Sequence, residues 1–327
     1  LLKKIEKDYK REGIIPNNML LSGNQKDGRG NIAPETIVLP VIAMLAKRKC
    51  KNHPEDLVEV FIDMLKKQLV ACREELIWRF NWINAQEPAC AEFMWTNHTM
   101  KGFEQGHGIV TATRHGTLAI GQLGLAETLQ ILIGTDHTTK EGMELGKRIE
   151  QLYKDFCANS KETYRLNFGN YYTPAESLCG TAFNFFTKKY GLIENVNAYK
   201  DEDGNLKPRG FFTNSIHVPV WKEIDPYKKI DVESQLTGYS NAGCITYVEI
   251  GDNALHNLKA LENIVEYAMS KDIPYFAINT KLSSCNKCGY VGYIPRKAPC
   301  PVCNAGHEKY IDDFARITGY LSTKVQH

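Results

Sequence analysis

Cys285-Asn-Lys-Cys288, followed after eleven residues by Cys300-Pro-Val-Cys303, decides how the end of this chain is built. Each Cys-x-x-Cys pair can turn back on itself and present its two sulfurs to two corners of a tetrahedron. The doubled spacing therefore matches a four-thiolate zinc site. Redox disulfides or four unrelated buried thiols are the competing readings, and neither calls for two pairs at this separation. Gly289 and Gly306, each a few residues past a pair, are expected to supply the knuckle turns. A ribbon over residues 283–306 follows. Such ribbons serve as nucleic-acid modules or as structural clips, so the ribbon alone does not assign a function.

Outward from the ribbon, the bulk numbers narrow the class. The 327 residues are 43% hydrophobic, enough for a sizeable core in one large domain or two ordinary ones. Forty basic against thirty-eight acidic residues leave a net charge of +2, with no basic excess to grip a polynucleotide backbone. Polymer nucleic acid is not the expected ligand. No apolar run approaches the ~18–20 residues that span a bilayer, and Leu1-Leu-Lys-Lys-Ile-Glu6 lacks a signal-peptide layout. A soluble, cytoplasmic protein without membrane contact is expected. Of ten cysteines, four stand in metal spacing and the rest are scattered, which suits a reducing compartment. Phosphate-loop, dinucleotide-binding and serine-hydrolase signatures are missing, and His107, His137 and His217 lack metal-ligand spacing.

Periodicity sketches the elements. Residues 1–12 are charged and helix-compatible until Gly13 and Pro16-Asn17-Asn18. Gly28-Arg-Gly-Asn31 leads into Thr36-Ile-Val-Leu-Pro-Val-Ile42, an apolar run read as a buried strand entering a helix. Val58, Val60, Phe61, Met64, Leu65, Leu69 and Cys72 recur at helical spacing within 54–86, as a core-facing stripe does. Residues 106–121 read as strand and loop. Met143, Leu145, Ile149, Leu152, Tyr153 and Phe156 share one face of a helix over 140–159, and a further helix is expected over 258–269. Short apolar strands fall near 216–218, 245–248 and 275–278. Alternating strands and helices argue for an α/β layout, in which 36–41, 216–220 and 245–249 should be interior strands buried on both faces.

Two further stretches carry candidate chemistry. In Thr173-Pro-Ala-Glu-Ser177, Glu176 suits a general acid or base or a ribose-hydroxyl partner; it equally suits the first turn of a helix begun by Pro174. Cys179 reads either as a reducing thiol or as a small buried hydrophobe. Arg114 and His115 read as a substrate or interface site, or as structural residues.

Arg316-Ile-Thr-Gly319-Tyr-Leu-Ser-Thr323, directly after a four-cysteine ribbon, resembles the glycyl-radical tail of anaerobic (class III) ribonucleoside-triphosphate reductases. Further stretches resemble that family in its order: Gly28-Arg-Gly-Asn31, Thr113-Arg-His-Gly-Thr-Leu-Ala-Ile-Gly121 with Gly124-Leu-Ala-Glu127, Thr173-Pro-Ala-Glu-Ser177, Thr213-Asn-Ser-Ile-His-Val-Pro219 and Asn241-Ala-Gly-Cys-Ile-Thr-Tyr-Val-Glu249. The resemblance covers nearly the whole chain. It implies the C-terminal part of a ten-stranded α/β barrel over 1–282, a zinc ribbon over 283–306 and a radical loop over 307–327. It also implies reduction of ribonucleoside triphosphates, nucleotide effectors, a homodimer, and a radical-SAM activase that installs the radical on Gly319. Glycine suits that role because the radical flattens the Cα and no side chain opposes it. A regulatory region and the other half of the barrel are expected upstream of Leu1.

One departure stands out. The family's loop before the strand at 36–41 carries the cysteine whose thiyl radical takes the ribose 3′ hydrogen, whereas residues 13–35 contain none and the nearest is Cys50. Val38 also replaces a common Asn. Two other functions compete. A different glycyl-radical enzyme would lack the ribbon. A zinc-ribbon nucleic-acid-binding protein would need more basic and aromatic residues than Lys281, Lys287, Tyr290, Tyr293, Arg296 and Lys297 supply.

Overall fold

The computed structural model describes residues 30–97, 99, 102–175, 177–250, 257–271, 273–279, 282–295, 298–316 and 321–323, with side chains described as far as Asp312. The longer elements, in chain order, are β1 (Asn31–Val38), α1 (Leu39–Lys49), α2 (Leu57–Asn84), β2 (Thr117–Leu123), α3 (Leu125–Ile133), α4 (Lys140–Tyr164), β3 (Asn167–Tyr172) and α5 (Ser177–Tyr190). There follow β4 (Ala198–Lys200), β5 (Leu206–Pro208), α6 (Pro226–Thr237), β6 (Thr246–Glu249), α7 (Leu258–Ser270), β7 (Phe276–Asn279), β8 (Leu282–Cys285), β9 (Val291–Gly292), β10 (Ile311–Arg316) and β11 (Leu321–Thr323). The chain divides into two units: 1–122 with 145–172 and 239–243, and 123–144 with 173–238 and 244–327.

In the first unit the sheet runs β1-β2-β3, with β2 parallel to β3 from Thr117 opposite Asn167 to Gln122 opposite Tyr172. Every residue of β2 is buried, so it is the apolar centre. β1 differs from expectation: it buries Ala33 and Ile37 on one face, and at Leu39 the chain turns into α1 with Pro40 in its first turn. Proline is preorganised for that position and lacks the N–H a ladder needs, so the strand ends before 41. α2 buries Leu57, Phe61, Ile62, Leu65, Leu69, Cys72, Leu76 and Phe80 along one stripe; Phe61, Leu65, Leu69 and Cys72 match the expected face, whereas Val58, Val60 and Met64 are half-buried. Each such side chain contributes about 1.5–3 kcal/mol when fully buried. The C-terminal part of α4 adds Ile149, Tyr153 and Cys157.

Among the described residues no strand continues the far edge of β3. Loop 239–243 covers it: Asn241 and Ala242 donate their N–H groups to the Asn170 carbonyl, and the Tyr172 N–H donates to Gly243. A Cβ at Gly169 would meet Ala242 Cβ at 2.8 Å and Asn241 Oδ1 at 2.9 Å, so only glycine admits this approach. Among the described residues the strands form sheets of three, four, two and two, and no closed barrel is present. The mixed α/β layout is thus as expected, in open sheets over the described residues; the expected piece of a ten-stranded barrel would supply only some of the strands that close it.

In the second unit, β6 and β7 pair in parallel from Thr246 opposite Phe276 to Glu249 opposite Asn279. Ile230 of α6, Val248 of β6 and Ile264 and Ala268 of α7 form its core. Thr246, Tyr247 and Val248 are buried as expected, but Ile245 is half-buried and precedes the strand, Glu249 is exposed, and among the described residues β6 pairs with β7 alone. Residues 216–220 correct the other expectation. Ile216 and Val218 are buried, but the segment is irregular. Its N–H groups go elsewhere: His217 donates to the Asn214 carbonyl, and Val218 donates to Glu233 Oε1 at 3.0 Å. β4 and β5 pair antiparallel with each other, and the last four strands form a sheet ordered β11-β10-β8-β9. No helix among the described residues is long and apolar enough to cross a membrane.

Candidate metal centre and the strands flanking Gly319

The ribbon core consists of Cys285, Ile294, Cys300, Ala305 and Ile311, with Tyr290, Ala298, Cys303 and Tyr310 packed against it. So small a cluster is a weak stabiliser by itself, which is the situation in which small modules recruit a metal. Two matched turns bring the thiols together. In the first, the Cys285 N–H donates to the Tyr290 carbonyl and the Gly289 N–H to the Cys285 carbonyl, both at 2.8 Å. In the second, Cys300 donates to Ala305 and Asn304 to Cys300, both at 2.9 Å.

Both turns place their fifth residue in the left-handed region, Gly289 at φ 76° and Asn304 at φ 56°. The expectation for Gly306 is thus corrected. Asparagine tolerates this conformation, and Gly306 instead precedes a short helical turn with φ −64°.

Cys285, Cys288, Cys300 and Cys303 offer sulfurs that all lie within 4.8 Å of one another. Cys285 Sγ is 3.6 Å from Cys303 Sγ, and Cys288 Sγ is 3.6 Å from Cys300 Sγ. Four sulfurs about 2.3 Å from a common centre stand about 3.8 Å apart, whereas a disulfide requires about 2.05 Å. The geometry fits a tetrathiolate ion site and excludes disulfides between these pairs. Within the cluster the thiols share protons unequally. Burial raises the Cys300 pKa, but the N–H groups of Cys303 and Val302 and the Cys288 and Cys285 thiols bring it down to about 6. At Cys288 the Tyr290 N–H acts to lower the pKa, but burial and the neighbouring thiols prevail and push it up to about 12. A thiolate is the form a metal takes.

β8 ends at Cys285, and β10 pairs with β8 antiparallel from Ile311 opposite Cys285 to Phe314 opposite Leu282. β10 then pairs with β11, with Arg316 opposite Leu321. Gly319 lies in the connection between these strands, at residues 317–320, outside the described residues.

The other candidates fall as follows. Glu176 lies outside the described residues. Cys179 is buried near the start of α5; its thiol donates to the Ala175 carbonyl at 2.8 Å and to Asn214 Oδ1 at 3.2 Å, and burial pushes its pKa up to about 12. It is a neutral thiol. In the first unit, Arg114 Nε donates to His115 Nε2 at 3.1 Å; burial, reinforced by Arg114, lowers the His115 pKa.

Three buried glutamates went unassigned at the level of sequence. Glu127 Oε1 accepts both the Thr213 N–H and hydroxyl at 2.7 Å. Glu233 accepts from Val218 and contacts His217 Nδ1 at 3.2 Å, with Lys229 Nζ 3.7 Å away. Together they hold both ends of the 213–218 loop, whose Ser215 adopts φ 38°. Glu150, in the first unit, accepts from Gln122 and Asn170, and burial raises its pKa to about 7. Only the presence of the Thr213-Asn-Ser-Ile-His motif signals this loop. Glu127 stands in the Gly124-Leu-Ala-Glu127 stretch, but nothing local marks its role or those of Glu150 and Glu233, because Thr213, Gln122, Asn170 and Val218 are distant in sequence.

The fold and the site define an α/β protein that ends in a tetrathiol ribbon and a β-hairpin. The sequence profile of anaerobic ribonucleoside-triphosphate reductase matches residues 7–326, so the chain belongs to that family. It is 26% identical over 309 residues to the anaerobic ribonucleoside-triphosphate reductase of Escherichia coli K12, covering 91% of this chain and 40% of that protein. To the Enterobacteria phage T4 enzyme it is 27% identical over 312 residues, covering 92% and 47%. The chain thus spans less than half of these relatives. Crystal structures of the Thermotoga maritima anaerobic ribonucleotide reductase share the fold. The one with MES in the active site aligns with TM-score 0.65, 20% identity and coverage of 92% of this chain and 45% of that one. The one in complex with dATP and CTP gives 0.64, 19%, 92% and 44%.

Proposed function

We propose that this chain is the C-terminal part of a catalytic polypeptide that reduces ribonucleoside triphosphates to 2′-deoxyribonucleoside triphosphates by glycyl and thiyl radical chemistry. Gly319 carries the radical. Cys285, Cys288, Cys300 and Cys303 hold one Zn²⁺, which has no redox chemistry of its own and acts as a clip. Residues 1–282 belong to the catalytic body, 283–306 to the ribbon and 307–327 to the radical loop. A radical-SAM activase, nucleotide effectors, a homodimeric partner and a cytoplasmic setting belong to the same proposal. Dependence on nucleotides draws support from the Thermotoga maritima enzyme, crystallised with dATP and CTP.

The observation that carries the proposal is the shared sheet: the ribbon strand β8 and the loop strands β10 and β11 are hydrogen-bonded neighbours. A radical loop must approach substrate yet be reached by an activase, so it needs an anchored base, and this sheet supplies one. Arg114 and His115 are proposed to contact substrate and Glu176 to hold a ribose hydroxyl or act as acid or base. Cys179 is a reserve reductant whose S–H is already hydrogen-bonded. Residues 13–35 contain no cysteine for the thiyl radical; either that loop is incomplete in this chain or the reaction uses another sulfur.

The test is deoxyribonucleotide formation by the full-length polypeptide, activated anaerobically. Product that depends on both activase and Gly319 supports the proposal. Salt-sensitive DNA or RNA binding without reductase activity would favour the ribbon's nucleic-acid reading instead.

A further inference from the structure

In the second unit, Arg209 directly follows β5, and both its backbone and its side chain are held. Its N–H donates to the Asn197 carbonyl at 3.0 Å, and the buried Asn197 side chain is tied to Ile193, Thr187 and Gly191. Its guanidinium carbon lies 4.1 Å from the centre of the Trp221 ring and 5.5 Å from that of Tyr199. Phe211 braces Trp221 in turn, with ring centres 5.9 Å apart. The cation is thus placed before any ligand arrives.

The rings attract the charge through their faces and use none of its N–H donors. Among the described residues the guanidinium makes no hydrogen bond and no ion pair, and Nε is buried without an acceptor. A charged donor left unmade is costly, so an acceptor from outside the chain is called for. Other cations of this region are already neutralised: Lys200 by Glu194 at 2.8 Å, Lys207 by Asp201 at 3.4 Å and Lys222 by Asp136 at 2.7 Å. Among the described residues, Glu127 is the carboxylate whose charge acts on Arg209. It forms no ion pair with the guanidinium. Its Oε1 is spent on Thr213, and burial raises its pKa toward the neutral form, so it does not cancel the cation.

We propose that Arg209 receives the phosphate of a nucleoside phosphate, whose base lies against the ring of Tyr199. The guanidinium fork matches phosphate oxygens. Tyr199 is 42% exposed, which leaves it a π surface on which any base can stack. A carboxylate or a bare anion would use the guanidinium and leave that ring idle. The choice of a nucleotide rests on the function proposed above, whereas the anion site rests on the surroundings of Arg209.

The experiment titrates the whole chain with ATP, without activase, while NMR follows the Arg209 Nε–H and the Trp221 indole N–H, assigned with Arg209→Lys and Trp221→Phe. A saturable shift of both is expected, weakened by added salt. Arg209→Lys keeps a charge but loses the fork, so the Trp221 response should need about tenfold more ATP. Tyr199→Leu should weaken ATP and leave tripolyphosphate unchanged, and it remains informative if Arg209→Lys does not fold. No saturable shift, or an equal response in Arg209→Lys, would overturn the proposal. So would tripolyphosphate or acetate binding the native chain as tightly as ATP, since neither offers a base to Tyr199. Gly319→Ala should bind ATP as the native chain does. ATP binding at Arg209 in a full-length polypeptide that forms no deoxyribonucleotide would sink the reductase reading and uphold this site; an active reductase with no response at Arg209 would do the reverse.

Discussion

Ile311 on β10 stands directly opposite Cys285 on β8, so a ribbon thiol and the first residue of the strand leading to Gly319 are partners in one antiparallel ladder. Both are also members of the ribbon core. Whatever fixes Cys285 therefore fixes the base of the hairpin. Loosening the thiol cluster frees the β10 edge before it disturbs the core of α6, β6 and α7, which is built from different residues.

The first expectation is one zinc per chain. Cys300→Ala should abolish stoichiometric metal, measured by elemental analysis of reduced protein. Structural zinc contributes roughly 10–16 kcal/mol in isolated finger peptides, so amides of β8 and β10 should exchange far faster in this variant. Those of α2 and β2 should keep their protection. Zinc retained by Cys300→Ala would remove that cysteine from the ligand set.

Glu150 makes stability pH-dependent. Its folded pKa is raised by burial from an ordinary 4.5 to about 7, against the hydrogen bonds from Gln122, Tyr172 and Asn170. The folded state therefore holds this proton more tightly than the unfolded chain. The resulting stability is fully present below pH 4.5 and is lost as pH rises to about 7, a change of at most about 3 kcal/mol. Glu150→Gln should flatten the stability curve across that window and be more stable than the native chain at pH 8. Chemical denaturation at pH 5 and pH 8 checks this, and an unchanged slope would refute it.

Glu233 acts in the opposite sense. Burial opposes its charge, but Lys229 and His217 prevail and hold its pKa at about 2, so its contribution is present above 4.5 and lost as pH falls toward 2. Glu233→Ala leaves Lys229 with only the exposed Glu249 and strands the Val218 N–H, at a cost of about 3–5 kcal/mol. Removing both charges, as Glu233→Leu with Lys229→Met, should recover the part of that loss due to the stranded Lys229 cation, while the part due to the unpaired Val218 N–H persists. Urea denaturation of the single and double variants separates a buried pair from a merely tolerant site.

These charges explain where sequence reasoning stopped. α2, α4 and α7 were legible because a buried stripe imposes a 3.6-residue period, and the ribbon because thiol spacing is a geometric constraint. Residues 216–220 were misread because Ile216 and Val218 look like a strand, while the backbone bond that settles the matter goes to Glu233, distant in sequence. The turn at Asn304 was missed for a related reason: glycine is only the commonest residue at positive φ. The capping of β3 by loop 239–243 has no periodic signature at all.

The most direct test of the account is electron paramagnetic resonance of the anaerobically activated full-length polypeptide. A doublet-type organic radical is expected, with its main splitting lost on α-deuteration of glycine. Oxygen should quench it and cleave the chain at Gly319. Gly319→Ala should fold, keep its zinc and show neither signal nor cleavage. Retention of nucleotide reduction by Gly319→Ala, or cleavage at another residue, would contradict the assignment.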